Sequence, residues 1–412
     1  MSCLRPLSRA ALVLAVCAAV AGADAPIARA AQPPVAAPQA VLIESGSGQI
    51  LFARNPDAAR PVASATKLMT ALVVLERVSL DTWIVAPGYQ PISPAETRLG
   101  LVAGERMRVR DLLGALLLGS ANDAAEALAV GTAGSTEAFV ELMNRRARRL
   151  GLRNTSFANP IGLDDAANFS SAADLVRLTA RLRANPFFVR TVGLQALRLR
   201  SGSRPRVVDN RNDLVGSQPF VNGVKTGHTL AAGYVLVGSA TRGPVTVISA
   251  VLGDASEAAR DADTAALLRY GLSELRAIRI LSAGRAVGSR AVRHRESQLV
   301  GLAPARSLTR VVRRGQRSTV QLVAPQTLEG PLAAGARVGT AIVRVGGQTA
   351  ARVPVVTTAP VPSVNVLERL VGTPLVAGTL VLATLTLAGA ALLTAGRRGR
   401  SGDRASSRRP RP

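Results

Sequence analysis

The sequence predicts an α+β domain with a small β-domain behind it and one apolar helix near the C-terminus. Three observations carry this. Strand-like runs stand at both ends of a helical stretch within residues 41–278; residues 279–362 alternate in short runs broken by Gly and Pro; and residues 370–396 carry no charge at all. A chain of 412 residues is in any case too long for one ordinary domain.

Residues 1–31 read as a secretory signal, with Arg5 and Arg9 ahead of an apolar run from Ala10 to Ala21 and small residues at Ala28 and Ala30. The run is short for an uncleaved anchor. Both cysteines, Cys3 and Cys17, fall inside it, and the bulky Val16 before Cys17 does not fit a lipoprotein cleavage site. The mature chain then has no thiol, which excludes disulfides, cysteine nucleophiles and thiolate metal sites. Residues 32–40 are rich in Pro and Ala and read as a linker.

The first strands are Val41 to Ile43 and Ile50 to Phe52, a hairpin around Ser45-Gly46-Ser47-Gly48. Apolar residues at three- and four-residue steps then predict helices in Leu68 to Val78, Leu112 to Val130 and Phe139 to Leu150. Strand patterns return at Phe220 to Lys225, Tyr234 to Thr241 and Val245 to Leu252, and an Ala-rich helix follows from Ser256 to Leu275. Strands flanking helices imply that the terminal strands share one sheet. In the β-domain the clearest runs are Thr319 to Val323 and Arg337 to Val345. Residues 370–396 are long enough for a tilted transmembrane helix, and the tail 397–412, with Arg397, Arg398, Arg400, Arg404, Arg408, Arg409 and Arg411, is expected to stay cytoplasmic. The expected protein is single-pass, with its folded domains outside the cell membrane.

A formal charge of +25 invites a nucleic-acid reading, but part of it is this topology signal, and aromatics for base stacking make up only 3% of the chain. The scattered arginines read as a solvated surface suited to an anionic cell wall or lipid headgroups.

Lysine usage is the sharpest clue to chemistry. Among 51 basic residues only Lys67 and Lys225 are lysines. Arginine cannot lose its proton, so a composition that replaces Lys wherever charge suffices leaves it where only an amine works. Lys67 closes Ser64-Ala65-Thr66-Lys67 at the start of a helix, where residues three apart share a face. A desolvated amine there can take the Ser64 proton. By itself this pattern is equally a capping serine with a surface lysine. Ser120-Ala121-Asn122 puts a hydroxyl and an amide on one cleft only if the backbone turns there; Ser120 can relay a proton and Asn122 can bond a substrate backbone. Ser and Asn also serve as plain turn residues. Lys225-Thr226-Gly227-His228 offers a cation and a hydroxyl to a carboxylate, a glycine that admits a substrate backbone, and at His228 a backbone N–H that forms an oxyanion hole with that of Ser64. The His228 side chain is as well explained by a structural role, and His294 by a place on the surface. Three weak motifs in this order make one strong signal.

These motifs, with Leu51-Phe52, Leu150 to Phe157, Asn159-Pro160 and Val224 to Tyr234, resemble the low-molecular-mass penicillin-binding proteins of the D-alanyl-D-alanine carboxypeptidase family. The resemblance implies a penicillin-binding/β-lactamase-like transpeptidase fold, an antiparallel sheet with a helical subdomain. It further implies removal of the terminal D-alanine from peptidoglycan stem pentapeptides through an acyl-enzyme on Ser64, with Lys67 as general base, Ser120 as proton relay, and Asn122, Lys225, Thr226, Gly227 and His228 binding substrate. β-Lactams are expected to acylate Ser64, and no metal or organic cofactor is implied. Val62-Ala63 stand before Ser64 where the family often has Pro-Ala. No E-x-x-x-N lies between Ser120 and Lys225 to supply the deacylating glutamate of a class A β-lactamase. Two other readings stand beside the carboxypeptidase: an endopeptidase of cross-linked peptidoglycan, and a cell-wall binding protein without turnover, against which the retention of both lysines argues.

Overall fold

A computed structural model of the chain describes residues 31–363, residue 365 and the pair 385–386. The expected signal at 1–31 lies outside the described residues but for its last, the tail 397–412 lies wholly outside them, and of the apolar stretch 370–396 only that pair falls within them. Among the described residues no helix is long and apolar enough to cross a membrane.

The hairpin forms from Gln39–Glu44 and Ile50–Arg54, with Leu42 opposite Phe52. Its other neighbour comes from the far end of the domain, Val245–Asp254, and the five-stranded antiparallel sheet is completed by Gly233–Arg242 and, at the edge, Val221–Thr229. Terminal strands thus share a sheet, as the sequence predicts. Successive side chains on a strand point to opposite faces, and both faces here are covered. Val41, Ile43, Val237 and Ile248 pack towards Leu68, Met69 and Leu175 of the helical subdomain. Leu42, Leu236, Val247 and Val251 meet Leu267 and Leu268 of the helix Glu257–Glu274, whose start is capped by the Ser256 hydroxyl accepting from Ala259 N–H.

The helix Lys67–Arg77 runs through the subdomain with every residue from Lys67 to Val74 buried. The apolar stretch from Leu112 to Val130 is not one helix. It divides into Val109–Leu117 and Asn122–Ala133, with Ser120 in the left-handed region at φ 61° between them. The stretch read as a linker is docked: Val35 and Ala37 are buried, and the N–H groups of Ala36 and Ala37 both donate to Asp263 Oδ2 at 2.7 Å.

The β-domain begins at Leu275, ahead of the expected boundary at 279, because Leu275–Leu281 pairs with Leu308–Arg313. Beyond that ribbon lies a six-stranded sheet with its own core, including Val300, Leu302, Val343 and Val353. Arg313 ties the ribbon to the long helix through Glu274 Oε2 at 2.8 Å and the Tyr270 hydroxyl at 2.9 Å.

Candidate active site

Ser64 sits in a short 3-10 turn, Ala63–Thr66, which runs directly into the helix bearing Lys67. The three-residue spacing therefore brings their side chains together, with Lys67 Nζ 2.9 Å from Ser64 Oγ. The same Nζ lies 2.7 Å from Asn122 Oδ1 and 2.7 Å from the Ile161 carbonyl oxygen. Both of those oxygens can only accept. A neutral amine has two protons, one for each of them, and its lone pair is then left facing the Ser64 hydroxyl. Burial, followed by the charge of Lys225, pushes the Lys67 pKa well below its ordinary value, against the opposing pull of Glu96 and Asp123. Geometry and electrostatics both favour the neutral amine.

The turn at Ser120 is the one the tripeptide required. Its left-handed backbone puts Ser120 Oγ 2.9 Å from Lys225 Nζ while Asn122 opens the next helix and reaches Lys67. Lys225 sits deeper than Thr226 and His228 of its own motif. It does not line the cleft but is sealed behind it, with 1% of its surface exposed, bonded to Ser120 Oγ and to the Thr226 carbonyl oxygen at 2.9 Å. Burial, then the charges of Arg211 and Arg260, push its pKa down to about 7. Its side-chain partner at the cleft is Ser120, whose hydroxyl stands between the ammonium and the open space.

The strand Val221–Thr229 runs through the third motif rather than ending at it, and Thr226, Gly227 and His228 line one wall. A Cβ on Gly227 would meet Val62 O at 2.9 Å and Ser64 N at 3.0 Å. The glycine is thus required by the nucleophile turn seated against the strand, a reason the sequence reading, which assigned it to substrate approach, did not foresee. The same contact brings the Ser64 and strand backbones together, as an oxyanion hole needs. The exposed His228 ring stacks on Tyr234 with centroids 4.1 Å apart, so its side chain is held at the cleft rim.

The cleft encloses about 740 Å³. Residues outside the three motifs also build it. Arg211 and Arg260 also line it, the latter paired with Glu257 and Asp261 at 2.8 Å, Glu96 and Thr97 come from the loop before Val109–Leu117, and Asn159 shapes the loop that delivers the Ile161 carbonyl. Asn159 Oδ1 accepts from Gly162 N–H at 2.7 Å and from Ile161 and Leu163 N–H at 3.2 Å. Asn159-Pro160 is a turn signal in the sequence, but a backbone carbonyl has no residue type to announce it. Among the described residues no cluster of His, Cys, Asp or Glu is placed to hold a metal ion.

The family described as D-alanyl-D-alanine carboxypeptidase matches residues 27–256, and that described as penicillin-binding protein 5, C-terminal domain, matches 276–363. The D-alanyl-D-alanine carboxypeptidase DacA of Escherichia coli K12 is 30% identical over 356 residues, 82% of this chain and 87% of its own. Among solved structures, penicillin-binding protein 5 of Haemophilus influenzae superposes with a TM-score of 0.62 at 28% identity, covering 80% of this chain and 98% of that one. The DD-transpeptidase of Streptomyces K15 superposes with a TM-score of 0.57 at 34% identity, covering 59% of this chain and 99% of its own.

Proposed function

We infer the roles of individual residues from one premise: the chain belongs to the D-alanyl-D-alanine carboxypeptidase family and is a serine hydrolase that removes the terminal D-alanine from peptidoglycan stem peptides. Ser64 Oγ attacks the penultimate D-alanine carbonyl carbon while Lys67 takes its proton. The backbone N–H groups of Ser64 and His228 hold the oxyanion. Asn122 bonds the substrate backbone, and Thr226 with the charge of Arg260 receives the terminal carboxylate. The leaving D-alanine nitrogen takes a proton relayed by Ser120, backed by Lys225. Water then attacks the ester, and Ser64 is restored. A β-lactam carbonyl takes the same path as far as the acyl-enzyme.

The observation that carries this reading is the set of partners around Lys67 Nζ: two acceptor-only oxygens at 2.7 Å and the Ser64 hydroxyl at 2.9 Å. The test combines release of free D-alanine from a soluble pentapeptide with labelling by a fluorescent penicillin. The parent is expected to do both and Ser64→Ala neither. Labelling of Ser64→Ala as strong as the parent's excludes Ser64 as the nucleophile, and faster cleavage of a cross-linked dimer than of the pentapeptide favours the endopeptidase.

The reading extends to place. A signal at 1–31 and an uncharged stretch at 370–396 followed by an arginine-rich tail support an exported enzyme held by a single C-terminal span at the outer side of the cell membrane.

A further inference from the structure

Glu96 lines the same cleft, yet its carboxylate is turned on the side-chain amide of Asn122. Its Oε2 accepts from Asn122 Nδ2 at 2.8 Å and from the Tyr89 hydroxyl. Its Oε1 accepts from the N–H groups of Ile92 at 2.8 Å and Ser93 at 3.2 Å. Burial alone would raise its pKa, but the bonds from Tyr89, Asn122, Ile92 and Ser93 outweigh that and hold it below the ordinary carboxylate value, so the group is ionised at neutral pH.

An amide can be turned over with almost no change of shape, exchanging its oxygen for its NH₂ group. For Asn122 the exchange decides whether Lys67 has a base's geometry. With Oδ1 towards Lys67, the amine spends one proton there and another on Ile161 O, and its lone pair faces Ser64. With the NH₂ group there instead, that lone pair is drawn to Asn122 and away from the nucleophile. A carboxylate cannot donate, so Glu96 is satisfied only by the NH₂ group.

We propose that Glu96 is a positioning residue that fixes the amide orientation of Asn122 and thereby aims the lone pair of Lys67 at Ser64. The loop carrying it is itself fastened to this turn. Thr97 Oγ1 donates to Ser120 O at 2.8 Å, Asn122 N–H donates to Thr97 O at 2.8 Å, and the N–H groups of Leu99, Gly100 and Leu101 donate to the Asp123 carboxylate. The proposal rests on Lys67 as the base, and goes beyond that role to what keeps it one.

The experiment is the rate of acylation by a penicillin against pH, for the parent, Glu96→Gln and Glu96→Asp. The charged groups acting on Lys67 are Lys225 from the edge strand, which lowers its pKa, and Glu96 from the loop and Asp123 from the helix, which raise it. Removing the Glu96 charge lowers it further, so the acidic limb of the profile moves to lower pH. Glutamine has nearly the shape of glutamate but cannot offer four acceptor sites to four donors. In Glu96→Gln the acylation step is expected to slow about tenfold or more at neutral pH, with the acidic limb displaced downward. Glu96→Asp keeps an acceptor-only group and is expected to hold the limb at the parent's position.

A Glu96→Gln protein within about twofold of the parent at every pH overturns the proposal. So does a loss that is uniform in pH, which assigns Glu96 to bracing the loop alone. A limb that moves in Glu96→Asp as far as the glutamine change requires also overturns it, even if Glu96→Gln proves too unstable to purify. A parent that is not acylated at all overturns the functional reading itself, an outcome separate from any difference between parent and variants.

Discussion

Lys67 and Lys225 are both sealed from solvent, and burial penalises a protonated amine more than a neutral one. For Lys225 this has a consequence in stability. Its folded pKa is about 7 against an ordinary 10.5. Between those values the unfolded chain binds a proton at this site that the folded protein does not, so stability rises with pH across that window and the penalty is fully present below it. From pH 7 to pH 9 the site alone contributes a gain of about 2 kcal/mol. Lys225→Met removes it. Urea unfolding at the two pH values is expected to show about 2 kcal/mol less gain in the variant than in the parent, alongside loss of acylation. An equal gain in both proteins rules out a buried, depressed amine at this position. The scarcity of lysine made these two residues legible in the sequence, and Lys67 is placed as read. What the sequence did not disclose is depth. A cation in a motif strand reads as a ligand for a carboxylate, whereas the folded strand puts its ammonium behind Ser120. Glu96 and the Ile161 carbonyl were illegible for a related reason. Each acts on Lys67 across a long stretch of chain, and neither belongs to a spacing that a local reading can detect.

At the scale of elements, the site is a junction of three turns: the 3-10 turn at Ala63–Thr66, the break at Ser120, and the loop from Asn159 to Leu163. Periodicity finds helices and strands because a repeat declares itself over many residues. It ran past the break at Ser120, where Leu112 to Leu118 on one side and Ala124, Ala125, Ala127 and Leu128 on the other are buried and the apolar signal continues on both sides. The hairpin, the sheet's late strands and the long Ala-rich helix were legible because they have no such interruption. The third turn is also fixed by a residue the sequence reading passed over. Gly162 has φ 99°, and a Cβ there would lie 2.0 Å from Ala63 O and 2.9 Å from Ser64 N. Gly162→Ala therefore carries both a strained backbone and a collision with the nucleophile turn. It is expected to cost roughly 2–4 kcal/mol in unfolding free energy and to slow penicillin acylation by at least about tenfold in the protein that remains folded. Parent-like acylation in a stable Gly162→Ala protein contradicts the close seating of these two turns.

Across the whole molecule, two folded units meet at a narrow junction. The cores on the two faces of the main sheet belong to the catalytic unit, and the third, around Val300 and Val343, belongs to the β-domain. Between them the connections are the ribbon of Leu275–Leu281 with Leu308–Arg313, Val311 packed against the long helix's core, and the bonds of Arg313 and Arg314 to Tyr270, Ser273 and Glu274. None of these residues lines the cleft, and none touches Lys67, Ser120 or Lys225. The Streptomyces K15 structure, nearly all of which is matched by 59% of this chain, shows that a polypeptide of the catalytic unit's extent can stand alone in the family. A chain ending after residue 275 is therefore expected to fold. It loses the partially buried Arg313–Glu274 pair and the cover of Val311, so its unfolding free energy falls by roughly 1–3 kcal/mol. Its acylation rate with penicillin and its D-alanine release from a soluble pentapeptide stay within about threefold of the full chain, because no group in the proton path has moved. The deletion is felt instead where geometry relative to the wall matters. Should the β-domain, which precedes the uncharged stretch 370–396 in the sequence, act as a spacer between cleft and bilayer, trimming of intact cell wall by an anchored form lacking it falls while soluble-peptide hydrolysis does not. A folded, truncated protein that no longer hydrolyses the soluble peptide shows instead that the β-domain shapes the site.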